Sequence, residues 1–229
     1  MNPSIRPVLL LALVFAGKGA CSQSFEESIT DSLCVCFRTL TGSAPEEKSA
    51  SYQSECLRKI LERHHTEVEK SLDTIPGTDA EKNAAMGNRL VTNLSRLMVS
   101  KCDPFYEFFS NYRNFFFEKA DLEEERRNIT TRTESINSQA TVADYFERGL
   151  SHYLLKDFEL AELDFKKVLQ LDPQHPEAHL FRGYIYEQQG KYREALSEYR
   201  VVKKTGSVRD IELIMALAER RRREQSPSR

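Results

Sequence analysis

Apolar residues recur along most of the chain at spacings of three and four, and no run of alternating β-branched residues appears. That period belongs to amphipathic helices and predicts an all-α protein. Phe25, Ile29, Leu33, Cys36, Phe37 and Leu40 share the face of a first helix, which Thr41-Gly42-Ser43-Ala44-Pro45 ends. A second is expected from about Glu46 to Leu72, with Tyr52, Cys56, Leu57, Ile60, Leu61, Val68 and Leu72 inward. A third carries Leu90, Leu94, Leu97, Met98 and Cys102. Asp103-Pro104 then reads as a helix start, with an acceptor at the cap and proline in the first turn. The fourth helix is dense in aromatics. Phe105, Phe109, Tyr112 and Phe116 form one stripe, and Phe108 and Phe115 widen it. This pattern fits a core helix, or a patch that docks a partner or the rest of the chain.

Residues 121–141 change character. They are polar, rich in Thr, Ser and Asn, and read as a linker or an extension of the aromatic helix. Beyond them the sequence repeats at an offset of 34 residues: Gly149 pairs with Gly183, Phe158 with Tyr192, Ala161 with Ala195, and Phe165 with Tyr199. The glycines suit a close crossing of antiparallel helices, and the alanines are small partners on the second helix. The four aromatics fill the space between hairpins, and Leu171-Asp172-Pro173 ends the first unit.

This period and these positions resemble the tetratricopeptide repeat family over residues 142–209. The second unit lacks the Asp-Pro ending after Val202, and residues 210–225 read as a capping helix with Ile211, Leu213, Ile214, Leu217 and Ala218 apolar. The expected architecture is an N-terminal disulfide-stapled helical bundle (23–120), a two-repeat α-solenoid, its cap, and a tail (226–229). About three repeats are normally needed for stability. The open face is therefore expected to pack on the N-terminal helices, on a second copy in a homodimer, or on a ligand. The resemblance implies that inner helices line a groove through Phe146, Leu150, Tyr153 and Leu154, then Leu180, Tyr184, Gln188 and Gln189. Family members that clamp a peptide carboxylate use Lys and Asn at such places. These residues instead imply an apolar helical or extended protein segment as partner.

The N-terminus adds a location. Arg6 precedes the unbroken apolar run Val8–Ala16, and small residues follow, so residues 1–22 read as a secretory signal peptide. The run is too short to span a bilayer, which takes about 20 residues. Cleavage after Ser22 removes Cys21. Lipidation of Cys21 is disfavoured by Lys18 three positions upstream, and membrane attachment is expected only if that lipid is present. A periplasmic or extracellular location follows, with an outer-membrane lipoprotein as the alternative.

Four cysteines remain, Cys34, Cys36, Cys56 and Cys102, which suits two disulfides in an oxidising compartment. Cys34 and Cys36 lie about 160° apart around a helix and should not bond each other. Two connectivities stay open: 34–56 with 36–102, or 34–102 with 36–56. The Cys-x-Cys half also loosely resembles N-terminal regions of exported bacterial repeat proteins of the Bacteroidota type.

No motif supplies catalytic chemistry. His175 and His179 are four apart but fit a helix start and a packing position, so neither metal nor cofactor is expected. A formal charge of −2 argues against a nucleic-acid partner. Arg220 to Arg223 read as a solvated helix end. The expected function is a non-enzymatic scaffold that binds a protein or peptide. The rival readings are a thiol/disulfide redox protein or other enzyme using the N-terminal cysteines, and a lipid-anchored envelope assembly factor.

Overall fold

The computed structural model describes residues 25–41, 58–208 and 210–226. The expected leader with Cys21, the residues Tyr52, Cys56 and Leu57, and the side chains of Leu40, Tyr112, Phe115 and Phe116 lie outside what it describes. Every regular element among the described residues is a helix. In chain order they are α1 (Phe25–Thr41), α2 (His65–Asp73), α3 (Asp79–Lys101), α4 (Asp103–Lys119) and α5 (Leu122–Gln139). There follow α6 (Val142–Leu154), α7 (Phe158–Leu171), α8 (Pro176–Gln188), α9 (Tyr192–Thr205) and α10 (Ile211–Gln225). Residues 58–63 are also helical, and a turn at His64 separates them from α2. The helix expected to run unbroken to Leu72 is therefore interrupted there.

Helices α1, α3 and α4 pack into the N-terminal bundle. Ile29, Ile60 and Leu94 form one core, with Phe37, Met98 and Cys102 in a second beneath Phe105, Phe108 and Phe109. The Phe37 ring meets Phe105 and Phe108 edge-on, at 5.3 and 5.7 Å between centroids. Cys34 bonds Cys102, tying α1 to the α3–α4 junction. Cys36 is disulfide-bonded as well. The observed bridge therefore selects the 34–102 connectivity for the described pair. Cys102, not Asp103, is the N-cap of α4, and its side chain makes no capping hydrogen bond. Asp103 becomes the first helical residue and is free to pair elsewhere.

The segment expected as a linker or helix extension is a helix in its own right. Asp121 accepts hydrogen bonds from the Glu123 and Glu124 amides, and the extended backbone of Ala120 parts α5 from α4. No residue of α5 is buried. It lies along α6 through polar contacts instead. Arg132 pairs with Asp144 and Glu147, Arg148 donates to Thr133 Oγ1 at 3.2 Å, and Ser151 donates to Glu125 at 2.6 Å. Polar composition therefore did not mean a linker here, because the partner face on α6 is polar too.

α6–α7 and α8–α9 are the two antiparallel hairpins. Thr141 and Asp144 form a reciprocal capping box at the start of α6. At α8, Pro176 fills the first turn and His175 Nδ1 accepts from the Ala178 amide at 3.3 Å. Both first helices end alike: the Asp157 amide reaches back to His152 O at 2.9 Å and the Lys191 amide to Tyr186 O at 2.8 Å. The residue before each of these is left-handed, Lys156 at φ 65° and Gly190 at φ 72°. Ala161, Phe165 and Val168 are wholly buried between the hairpins, as are Ala195, Tyr199 and Val202 in the second unit. The Phe165 and Phe181 rings stack, 5.7 Å apart, joining the two units.

α10 closes the chain on itself. One side packs on α9 and the other on α3, with Ala216 and Leu217 meeting Val99, Phe105 and Phe109. The cap thus packs on the N-terminal helices, one of the coverings expected for the open face.

Candidate functional site

The first helices of the hairpins, α6 and α8, and the cap α10 stand side by side and present one face inward. Leu180 lies 34 residues after Phe146, and Ile214 lies 34 after Leu180. The cap thus supplies the third unit of the same face. Against it stands the aromatic helix α4. At one end Phe117 contacts Tyr153 and Phe158, with centroids 5.1 and 6.3 Å away. At the other end Phe105, Tyr106 and Phe109 rest on the cap.

Between them lies a cavity of about 500 Å³. Its wall is Leu150, Tyr153 and Leu154 from α6, Leu180, Phe181 and Tyr184 from α8, Leu213, Ile214 and Leu217 from α10, Phe109 from α4, and Asp210. Carbon dominates this surface. A ligand would gain by removing apolar area from water, roughly 25 cal/mol for each Å². Volumes of about 300–1,000 Å³ are typical of ligand pockets.

Five of the eight residues expected in the groove meet here: Leu150, Tyr153, Leu154, Leu180 and Tyr184. Phe146 does not line it. Its ring stacks on His175 at 5.0 Å and packs on Phe165 and Phe181, so it belongs to the core between the hairpins. Gln188 is exposed and Gln189 half-buried, and neither lines the cavity. Ile214 was legible at the 34-residue offset from Leu180, carried one unit further, whereas Phe181, Leu213 and Leu217 stand at the offsets of Glu147, His179 and Gly183 and were not. Phe109 and Asp210 carried no such signal, since only tertiary folding brings α4 and the α9–α10 connection to this place.

The seam that holds α4 and α10 together is ionic. Arg220 lies 3.9 Å above the Tyr106 ring, bonds Asp103 at 2.6 Å and donates to Val99 O at 2.7 Å. Arg221 bonds Glu187 at 2.7 Å and Ser110 O at 2.8 Å. The first two arginines of the run expected as a solvated end are thus structural. Burial pushes the Glu224 carboxyl up, but the Tyr106 hydroxyl and the Arg220 and Arg221 guanidiniums outweigh this and hold it below its usual value. His179, likewise, bonds Glu198 at 2.6 Å and Pro173 O at 3.1 Å, and His175 caps a helix, so both histidines have structural work.

Stacked antiparallel hairpins with a shared inner face define a helical-solenoid binding module. The repeats are tetratricopeptide repeats: models described as "Tetratricopeptide repeat" match residues 143–175 and 176–200. No curated protein and no solved structure matches the chain. Repeats of this family generally mediate protein–protein interaction.

Proposed function

We propose that this chain is an exported, non-enzymatic scaffold that holds a short apolar segment of a partner protein between the repeat groove and helix α4. One observation carries the reading: the apolar cavity of about 500 Å³ built by both repeats, the cap and Phe109. Its size suits the side chains of one or two turns of chain. A long helix laid along the groove would have to displace α4.

Export is supported by the leader-like residues 8–16 and by cysteines held in disulfides, which persist in oxidising compartments. Cys102 is fully buried, while Cys34 is half-buried. A staple with one sulfur sealed in the core favours the scaffold over the redox alternative, which needs an accessible thiolate.

The test places a photoreactive benzophenone amino acid at position 180, inside the cavity, or at position 188, outside it. Illumination of cells secreting each form should crosslink a partner through an apolar stretch from position 180 alone. Leu150→Ala together with Tyr184→Ala should reduce that product at least fivefold. Equal products from both positions, or none from position 180, would refute the proposal. Mass spectrometry of the secreted chain checks export separately, by a mature start at Gln23.

A further inference from the structure

We infer that the segment held in the cavity carries a positive charge beside its apolar residues, and that Asp210 receives it. This rests on the proposed binding reading and gives the partner a chemistry. Among the described residues, Asp210 is the charged residue of a lining otherwise built from Leu, Ile, Phe and Tyr, with no Lys or Arg. It stands at the N-cap of α10, where an aspartate ordinarily accepts from the helix's first amides. Here it does not: φ −96° and ψ 18° lie outside the extended region that capping requires, and its side chain caps nothing. Nor does it form an ion pair or side-chain hydrogen bond with any other described residue.

Nearby carboxylates are committed by contrast. Glu212 binds Lys203 at 2.5 Å, Asp103 binds Arg220 at 2.6 Å, and Glu187 binds Arg221 at 2.7 Å. Among the described residues Asp210 is therefore an exposed, uncommitted carboxylate at the lip of an apolar wall. Such a wall is poorly polarisable, so the charge keeps more of its field than it would over open surface. A Lys or Arg next to the inserted residues gains from it, and an acidic flank is repelled.

The test uses the full chain and three fluorescent peptides with one apolar core, Phe-Leu-Ala-Ala-Leu-Phe, flanked at both ends by Lys, Gln or Glu. Anisotropy titrations in 50 mM salt should rank them Lys, Gln, Glu, with about five- to tenfold between the first two, narrowing in 500 mM salt. Asp210→Asn should collapse the Lys-over-Gln preference to within about twofold, and Asp210→Glu should retain it. Leu150→Ala should weaken all three peptides alike. Equal binding of the three by the unsubstituted chain, or a preference surviving in D210N, overturns the assignment of Asp210 and leaves the cavity reading standing. Failure of all three peptides to bind overturns both.

Discussion

Arg221 on the capping helix donates to Glu187 on the second repeat at 2.7 Å, and the Glu187 side chain is 1% exposed. The same carboxylate accepts from the Tyr199 hydroxyl at 2.5 Å, while Arg221 reaches on to Ser110 O of α4. One ion pair thus joins the repeat, the cap and the aromatic helix. At the offset of 34, Glu187 stands where the first unit has Tyr153, so an aromatic position has become a buried anion. Removing one member of a buried pair strands the other.

Arg221→Ala should therefore cost about 3 kcal/mol, read as a lower urea midpoint. Arg221→Lys should recover less than half of this. A point-like ammonium cannot reproduce the guanidinium's fork to Glu187 and Ser110 O. Equal stability of all three forms would show that the pair does not hold the seam.

The two repeat glycines should not behave alike. A β-carbon on Gly183 would fall into the Tyr199 ring, 2.7 Å from Cδ1 and 2.8 Å from Cζ. On Gly149 it would sit 3.0 Å from Phe165 Cε1 and 3.1 Å from Asp164 Cβ, a contact that a small shift relieves. Gly183→Ala is expected to cost about 2–3 kcal/mol and Gly149→Ala about 1 kcal/mol or less, by thermal denaturation of each variant. The reverse order would mean the crossings are not as described.

Lys156 and Gly190 hold the same left-handed turn at the two hairpin bends. Gly190→Ala should destabilise by about 1 kcal/mol, because a β-carbon is strained at positive φ. Lys156→Gly relieves a similar strain but gives up the Lys156 ammonium 5.1 Å above the Phe117 ring, worth about 0.5–1 kcal/mol. Its net change should stay within about 0.5 kcal/mol. Lys156→Ala loses the ring contact without relieving the strain, and should be the least stable of the three at this site.

The seam should also loosen in acid. Glu224 is held below its usual carboxylate value in the folded chain, so its contribution is fully present above that usual value. It is lost as pH falls through the lowered one. A melting temperature that drops below about pH 4.5, with a smaller drop in Glu224→Gln, is the expected outcome in a pH series. An identical acid profile for the two forms would place the transition elsewhere.

The hairpins were readable because their information is local and repeated. Gly149, Ala161 and Phe165 recur as Gly183, Ala195 and Tyr199, and within each unit the glycine meets the aromatic across a single turn of chain. The polar helix α5 was not readable as structure. Arg132, Thr133 and Glu125 look solvated until Asp144, Arg148 and Ser151 of α6 are placed against them. Arg220 and Arg221 misled for the same reason, since Glu187 is more than 30 residues away and Asp103 and Ser110 more than 100. Half the groove was visible in advance, through Leu150, Tyr153, Leu154, Leu180 and Tyr184; Phe146 faced the core because the second hairpin stacks on it.

By itself the sequence determined the all-helical class, the 34-residue hairpin units and the apolar character of their inner face, because periodicity fixes which side of a helix must leave water. Only the tertiary structure decided that α10 is clasped by the N-terminal bundle and that α4 roofs the groove into a cavity. Those contacts join residues far apart in the chain, and their strength comes from geometry that no local pattern encodes.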